Sequence, residues 1–154
     1  MGDLETTNKF RERVALIEAK MRRTLPGVLT GKDTEKVCPV EHRFEHGHYT
    51  RVARCIGGVL AVTKTHLVAH PFFFAEGECS ILTEDGVVRM VAPCWGITKA
   101  GTKRVVYMHT DTVMVTVHET EQTDIDKAEL EIFAEDFSDS AIVEADIVRL
   151  PGEQ

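Results

Sequence analysis

Two β-rich runs, Gly77–Thr83 and Val87–Val91, flank Glu84-Asp85-Gly86. Asp-Gly between such runs predicts a tight hairpin, because the turn needs a positive φ that glycine adopts without a Cβ clash. Apolar residues occupy both phases of these runs, so both faces are expected to be covered: one by a barrel interior, the other by a helix or a subunit. Tyr49–Cys55 and Val59–Thr65, on either side of Gly57-Gly58, read as two more strands. Arg104–Met108 and Thr112–His118 read as another two, after a turn at Lys99–Thr102, while Pro93–Gly96 reads as a break. Roughly seven or eight short strands at this spacing predict an all-β barrel or sandwich.

Helices trim this unit. Phe10, Val14, Ile17 and Met21 recur at helical spacing within Thr7–Arg23 and form one narrow apolar stripe. Thr6, Thr7 or Asn8 can cap the helix, and Pro26-Gly27 stops it. The stripe has two destinations, the chain's own barrel or a neighbouring subunit. Leu29–Glu35 is a polar connector, Asp124–Phe133 is acidic and helix-compatible, and the acid-rich tail holds one apolar segment, Ala141–Leu150, suited to an edge strand. The expected organisation is an arm over 1–36, a β-barrel over 37–133 and a tail over 134–154.

A chain of 154 residues suffices for one domain with its own core. Its net charge of −7 argues against broad binding to nucleic-acid phosphates, although Lys99, Lys103 and Arg104 make a local basic patch. The start of the chain is polar, and no apolar run nears the ~20 residues of a membrane span. A soluble protein without a membrane partner is therefore expected. The four cysteines, Cys38, Cys55, Cys79 and Cys94, form no C-x-x-C pair and are expected to be reduced and partly buried.

Cys38, His42, His46 and His48 are the densest group of metal-ligand types. Their spacing matches no standard zinc finger, so a histidine-rich strand with a turn at Gly47 is expected. Patterns for nucleophilic catalysis, phosphate loops and dinucleotide binding are absent, and no catalytic residue is assigned.

The segment from Lys64 to Gly77 resembles the first motif of the cupins, small jelly-roll barrels. His66 keeps a metal-ligand histidine of that motif, Lys64 replaces another, and His70 stands where the motif has glutamate. In the second motif Arg104 stands at the histidine position. The segments HRFEHGHYTRV, SILTEDGVVRMVAP, AGTKRVVYMHTDTVMVTVHET and TDIDKAELEIF are similar to short cupin-like proteins of tailed phages and prophages.

The resemblance implies a mainly β fold, a single cupin-type jelly-roll barrel with an N-terminal amphipathic helix and a short C-terminal helix and tail. The first functional expectation is a non-enzymatic phage structural or assembly protein without a cofactor. It would be made in the host cytoplasm and carried in the virion, as a homo-oligomer with other phage structural proteins as partners. Phe10, Val14, Ile17, Met21, Phe72 and Phe73 are its candidate interface residues. The alternative is a metal-dependent isomerase or oxygenase holding Zn, Fe, Mn or Ni on His66 and His70, with His109 or His118 as third ligand. A third reading is a module for small anions or glycans, gripping its ligand through Lys64 and Arg104. Arg104 opposes a metal, because a guanidinium is always charged and repels a divalent cation.

Overall fold

The computed structural model describes residues 2–24 and 31–134. The expected helix stop at Pro26-Gly27 and edge strand Ala141–Leu150 lie outside the described residues, as does most of the acidic tail. The elements are α1 (Gly2–Thr24), a 3-10 turn (Gly31–Lys36), β1 (Val40–Glu45), β2 (His48–Cys55), β3 (Leu60–Val62), β4 (Thr65–His66) and β5 (His70–Glu76). There follow β6 (Glu78–Thr83), β7 (Gly86–Val91), β8 (Cys94–Thr98), β9 (Val105–Met108), β10 (Thr112–Glu119), α2 (Ile125–Ile132) and β11 (Phe133–Ala134).

The strand pairs are nested. β6 pairs with β7, β5 with β8, β3 with β9 and β2 with β10, so the chain is one long hairpin centred on Glu84-Asp85. Rolled up, its pairs alternate between a five-stranded sheet, β1-β2-β10-β5-β8, and a four-stranded sheet, β3-β9-β6-β7. That order is a jelly roll. Gly86 takes a φ of 115° where the innermost turn meets β7, which is why the Asp-Gly signal marked the centre of the nest.

Alternation along the strands builds the interior. Phe74, Cys79, Ile81, Val106 and Met108 meet between the sheets. Their outward neighbours Val62, Leu82 and Val105 are covered by Phe10 and Val14 of α1, with Ile17 alongside. Lys103 anchors the same helix by an ion pair to Glu18, 2.7 Å away. The apolar stripe is thus used within the chain, which corrects Phe10, Val14 and Ile17 as subunit contacts. The side chain of Met21 lies outside the described residues.

Three strands went unread in the sequence. Pro71–Phe74 lies in β5, the supposed break at Pro93–Gly96 runs into β8, and Phe133–Ala134, where the helix was expected to give way to the tail, forms β11. Proline is tolerated at 71 because pairing with β10 ends at Phe72, so no ladder hydrogen bond on that side is lost.

The expectation of four reduced cysteines is also corrected. Val40 faces Ala53 across the β1–β2 hairpin, and two residues further out the same register sets Cys38 against Cys55, which are disulfide-bonded. Cys79 and Cys94 are free thiols.

Candidate functional site

A cavity of about 320 Å³ lies between the sheets. Its apolar walls include Phe74, Ile81, Met108 and Met114. Its polar walls come from separate elements: Arg51 from β2, Thr63 and Lys64 from the β3–β4 link, His66 from β4, His70 from β5, and Thr102 and Arg104 from the stretch before β9. Arg51 points inward because it shares the phase of Tyr49, Ala53 and Cys55.

His66 is fixed from two sides. β4 pairs with β11, setting His66 opposite Phe133, and the His66 backbone N–H donates to the Thr102 carbonyl at 2.9 Å. Its side-chain Nδ1 donates to that same carbonyl at 3.1 Å. His70 Nδ1 donates to the Val68 carbonyl at 3.1 Å. In their neutral forms both rings therefore carry the lone pair on Nε2.

The histidines that meet are His66, His70 and His118. Ring centroids are 4.6 Å apart for His66–His70 and 4.2 Å for His70–His118. Burial, then the proximity of His70, lowers the pKa of His66 to about 3. Burial, then His70 and His66, lowers His118 to about 3, and burial likewise lowers His70. At neutral pH this cluster is uncharged.

The charge in the cavity comes from cations. Arg51 and Lys64 share the carboxylate of Glu129 on α2, at 3.4 and 2.9 Å. Both also lie over the Phe133 ring, at 4.6 and 5.4 Å from its centroid. The Arg104 guanidinium has no ion pair among the described residues. Burial lowers its pKa against the opposing pull of the Glu84 charge.

Several expected site residues lie elsewhere. His109 hydrogen-bonds Ser80 Oγ at 2.6 Å and packs edge-on against Tyr107, away from the cavity, which removes it as a third ligand. Phe72 lines the cavity, whereas its neighbour Phe73 points outward, as strand alternation requires. In the Cys38–His48 stretch, Cys38 is disulfide-bonded, His42 Nδ1 hydrogen-bonds the Tyr49 hydroxyl at 2.6 Å, and His46 occupies the turn with a φ of 50°.

A divalent metal, as the resemblance implies, does not fit this site. Among the described residues no carboxylate stands with the histidines, and Lys64 and Arg104 occupy ligand positions of the motif. Among the described residues no group of three or more His, Cys, Asp or Glu side chains is placed to hold a metal ion. Arg51 and Glu129 are the site residues that sequence reasoning missed. A charge in the inward phase of β2 was the available signal for Arg51.

No protein-family model and no curated protein sequence matches this chain. Solved structures resemble its fold. The Cupin_2 domain of an XRE family transcriptional regulator from Enterobacter cloacae aligns with a TM-score of 0.46 at 7% identity, over 56% of this chain and 99% of that one. A cupin superfamily protein from Desulfitobacterium hafniense aligns with a TM-score of 0.46 at 9% identity, over 55% and 78% of the respective chains. An acetylacetone dioxygenase from Acinetobacter johnsonii aligns with a TM-score of 0.44 at 15% identity, over 52% and 58%. By its own strand order the fold is a jelly roll. These likenesses decide nothing about function, which resides in site residues. No helix among the described residues is long and apolar enough to cross a membrane.

Proposed function

We propose that the chain is a non-enzymatic assembly protein that self-associates through the outer face of its five-stranded sheet. The observation that carries this reading is an apolar row across four strands that no described residue covers. Val52 faces Val115, Val115 faces Phe73, and Phe73 faces Trp95. Trp95 is 74% exposed, and Ile97, opposite Pro71 beside this row, is 63% exposed. On the other sheet α1 covers Val62, Leu82 and Val105; this one has no equivalent among the described residues.

The occupant is a second copy of the chain. A charge of −7 makes two copies repel at long range, so their contact belongs on an uncharged surface; the row from Val52 to Trp95 carries no charged side chain, and Glu41 of β1, opposite Val52, bounds it. An isologous contact also sets large aromatics from both copies at its centre. The likeness of Pro39–Phe133 to short phage proteins extends this reading to a virion-associated role, with other phage structural proteins as further partners and the host cytoplasm as the place of synthesis.

The deciding experiment is molar mass by light scattering, at about 50 µM, for the wild type, Trp95→Glu and Ile17→Glu. The expected result is an oligomeric wild type and a monomeric Trp95→Glu with unchanged circular dichroism. Ile17→Glu should keep its mass but melt earlier, because Ile17 packs within the chain. A monomeric wild type, or an oligomer indifferent to Trp95→Glu, would sink the reading.

A further inference from the structure

We propose that the barrel cavity binds a small organic carboxylate with an apolar body, the carboxylate held by Arg104 and Arg51 and the body lying on Phe74, Met108 and Met114. This site is on the inner side of the sheets and is independent of the assembly face.

Charge sets the polarity of the ligand. Arg51, Lys64 and Arg104 face the cavity, against Glu35 on its wall and Glu129, which already bonds Arg51 and Lys64. Among the described residues that line the cavity or bond into it, three cations meet two carboxylates, and the neutral histidines do not alter that count. Arg104 feels the charge of Glu84 but has no direct ion pair among the described residues. A carboxylate meeting the planar fork of this partly desolvated guanidinium would supply one, through two parallel hydrogen bonds. Arg51 and Arg104 both line this cavity, and Arg51 Nε is buried with no hydrogen-bond partner among the described residues.

Shape sets the rest of the ligand. The walls beyond the cations are aliphatic, aromatic and thioether, so an anion without an apolar body would leave them uncovered. A cavity of about 320 Å³ limits the ligand to a small molecule. Inorganic phosphate meets the charge requirement and fails the second. A neutral alcohol does the reverse.

The test uses the full chain with hexanoate as probe, and hexan-1-ol and inorganic phosphate as comparators, by isothermal titration calorimetry and thermal melting. Hexanoate should bind saturably, at least about tenfold tighter than either comparator, and raise Tm. Arg104→Gln should weaken hexanoate by about tenfold or more and leave hexan-1-ol unchanged. Hexanoate binding no tighter than hexan-1-ol would overturn the charge requirement, and phosphate binding as tightly as hexanoate would overturn the apolar body. Unaltered binding by Arg104→Gln would remove Arg104 from the site. If that variant does not fold, amide NMR on the wild type decides. Hexanoate-dependent shifts at Thr63, Thr102 and Thr116 support the site, and shifts confined to the outer sheet face overturn it.

Discussion

His70 and His118 lie with ring centroids 4.2 Å apart, and each has a buried ring nitrogen, His70 Nε2 and His118 Nδ1, with no hydrogen-bond partner among the described residues. His66 flanks the pair, 4.6 Å from His70. A proton added anywhere in this group would set a positive charge beside Arg51, whose field already disfavours it at all three rings. The cluster is therefore a neutral core feature whose stability depends on pH.

The sign follows from proton uptake. The unfolded chain protonates these histidines near 6.5, whereas His66 and His118 in the fold wait until about 3. Stability from this source is complete above pH 6.5 and is lost as pH falls toward 3, by up to about 1.4 kcal/mol per pH unit for each histidine. Urea unfolding at pH 7, 6 and 5 should show this decline before most carboxylates titrate. His118→Phe should flatten it by about one proton, and constant stability over that range would contradict the neutral cluster.

Lys103 is 4% exposed and sits 2.7 Å from Glu18 on α1. Removing one partner of a buried pair weakens the compensation of the other charge, so Glu18→Ala should cost about 3 kcal/mol. Adding Lys103→Met should recover part of that loss. Chemical denaturation of both variants measures the difference, and a negligible cost for Glu18→Ala would mean that α1 is not anchored there.

Gly77 has a φ of +91°, and a Cβ at this position would lie 2.1 Å from the Asp111 carbonyl oxygen. Gly58, at +82°, has nothing within 4 Å of that position. Gly58→Ala should therefore cost only the conformational penalty, about 1 kcal/mol, while Gly77→Ala should cost clearly more because backbone must shift. Equal melting temperatures for the two variants would contradict the close approach of the β5–β6 turn to Asp111.

The Cys38–Cys55 bridge closes a segment with a sequence separation of 17. Reduction, or Cys38→Ser with Cys55→Ser, should lower stability by about 3 kcal/mol through the gain in unfolded-chain entropy. Thiol titration in denaturant should find Cys79 and Cys94 before reduction and all four cysteines after it. In the native state Cys79 should be inert, since burial pushes its pKa up to about 11.

The sequence by itself determined the mainly β class, the α1 stripe and the hairpin at Glu84-Asp85-Gly86, because each rests on local periodicity or on the φ a turn demands. Asp124 was legible as a helix start for the same reason: its carboxylate accepts from the Lys127 N–H. β5 and β8 were hidden because proline and aromatic clusters read as breaks, until nested pairing with distant strands gave them partners. Tertiary structure also decided the composition of the site. Arg51, Lys64, Arg104 and Glu129 come from positions up to 78 residues apart, and only the roll of the two sheets makes them one electrostatic unit. His109 and His118 looked equivalent as third ligands in the sequence. Strand β10 ends with His118 facing the interior, while His109, past the end of β9, turns to Ser80 and Tyr107. That distinction is set by which face of the barrel each side chain meets, which no local signal encodes.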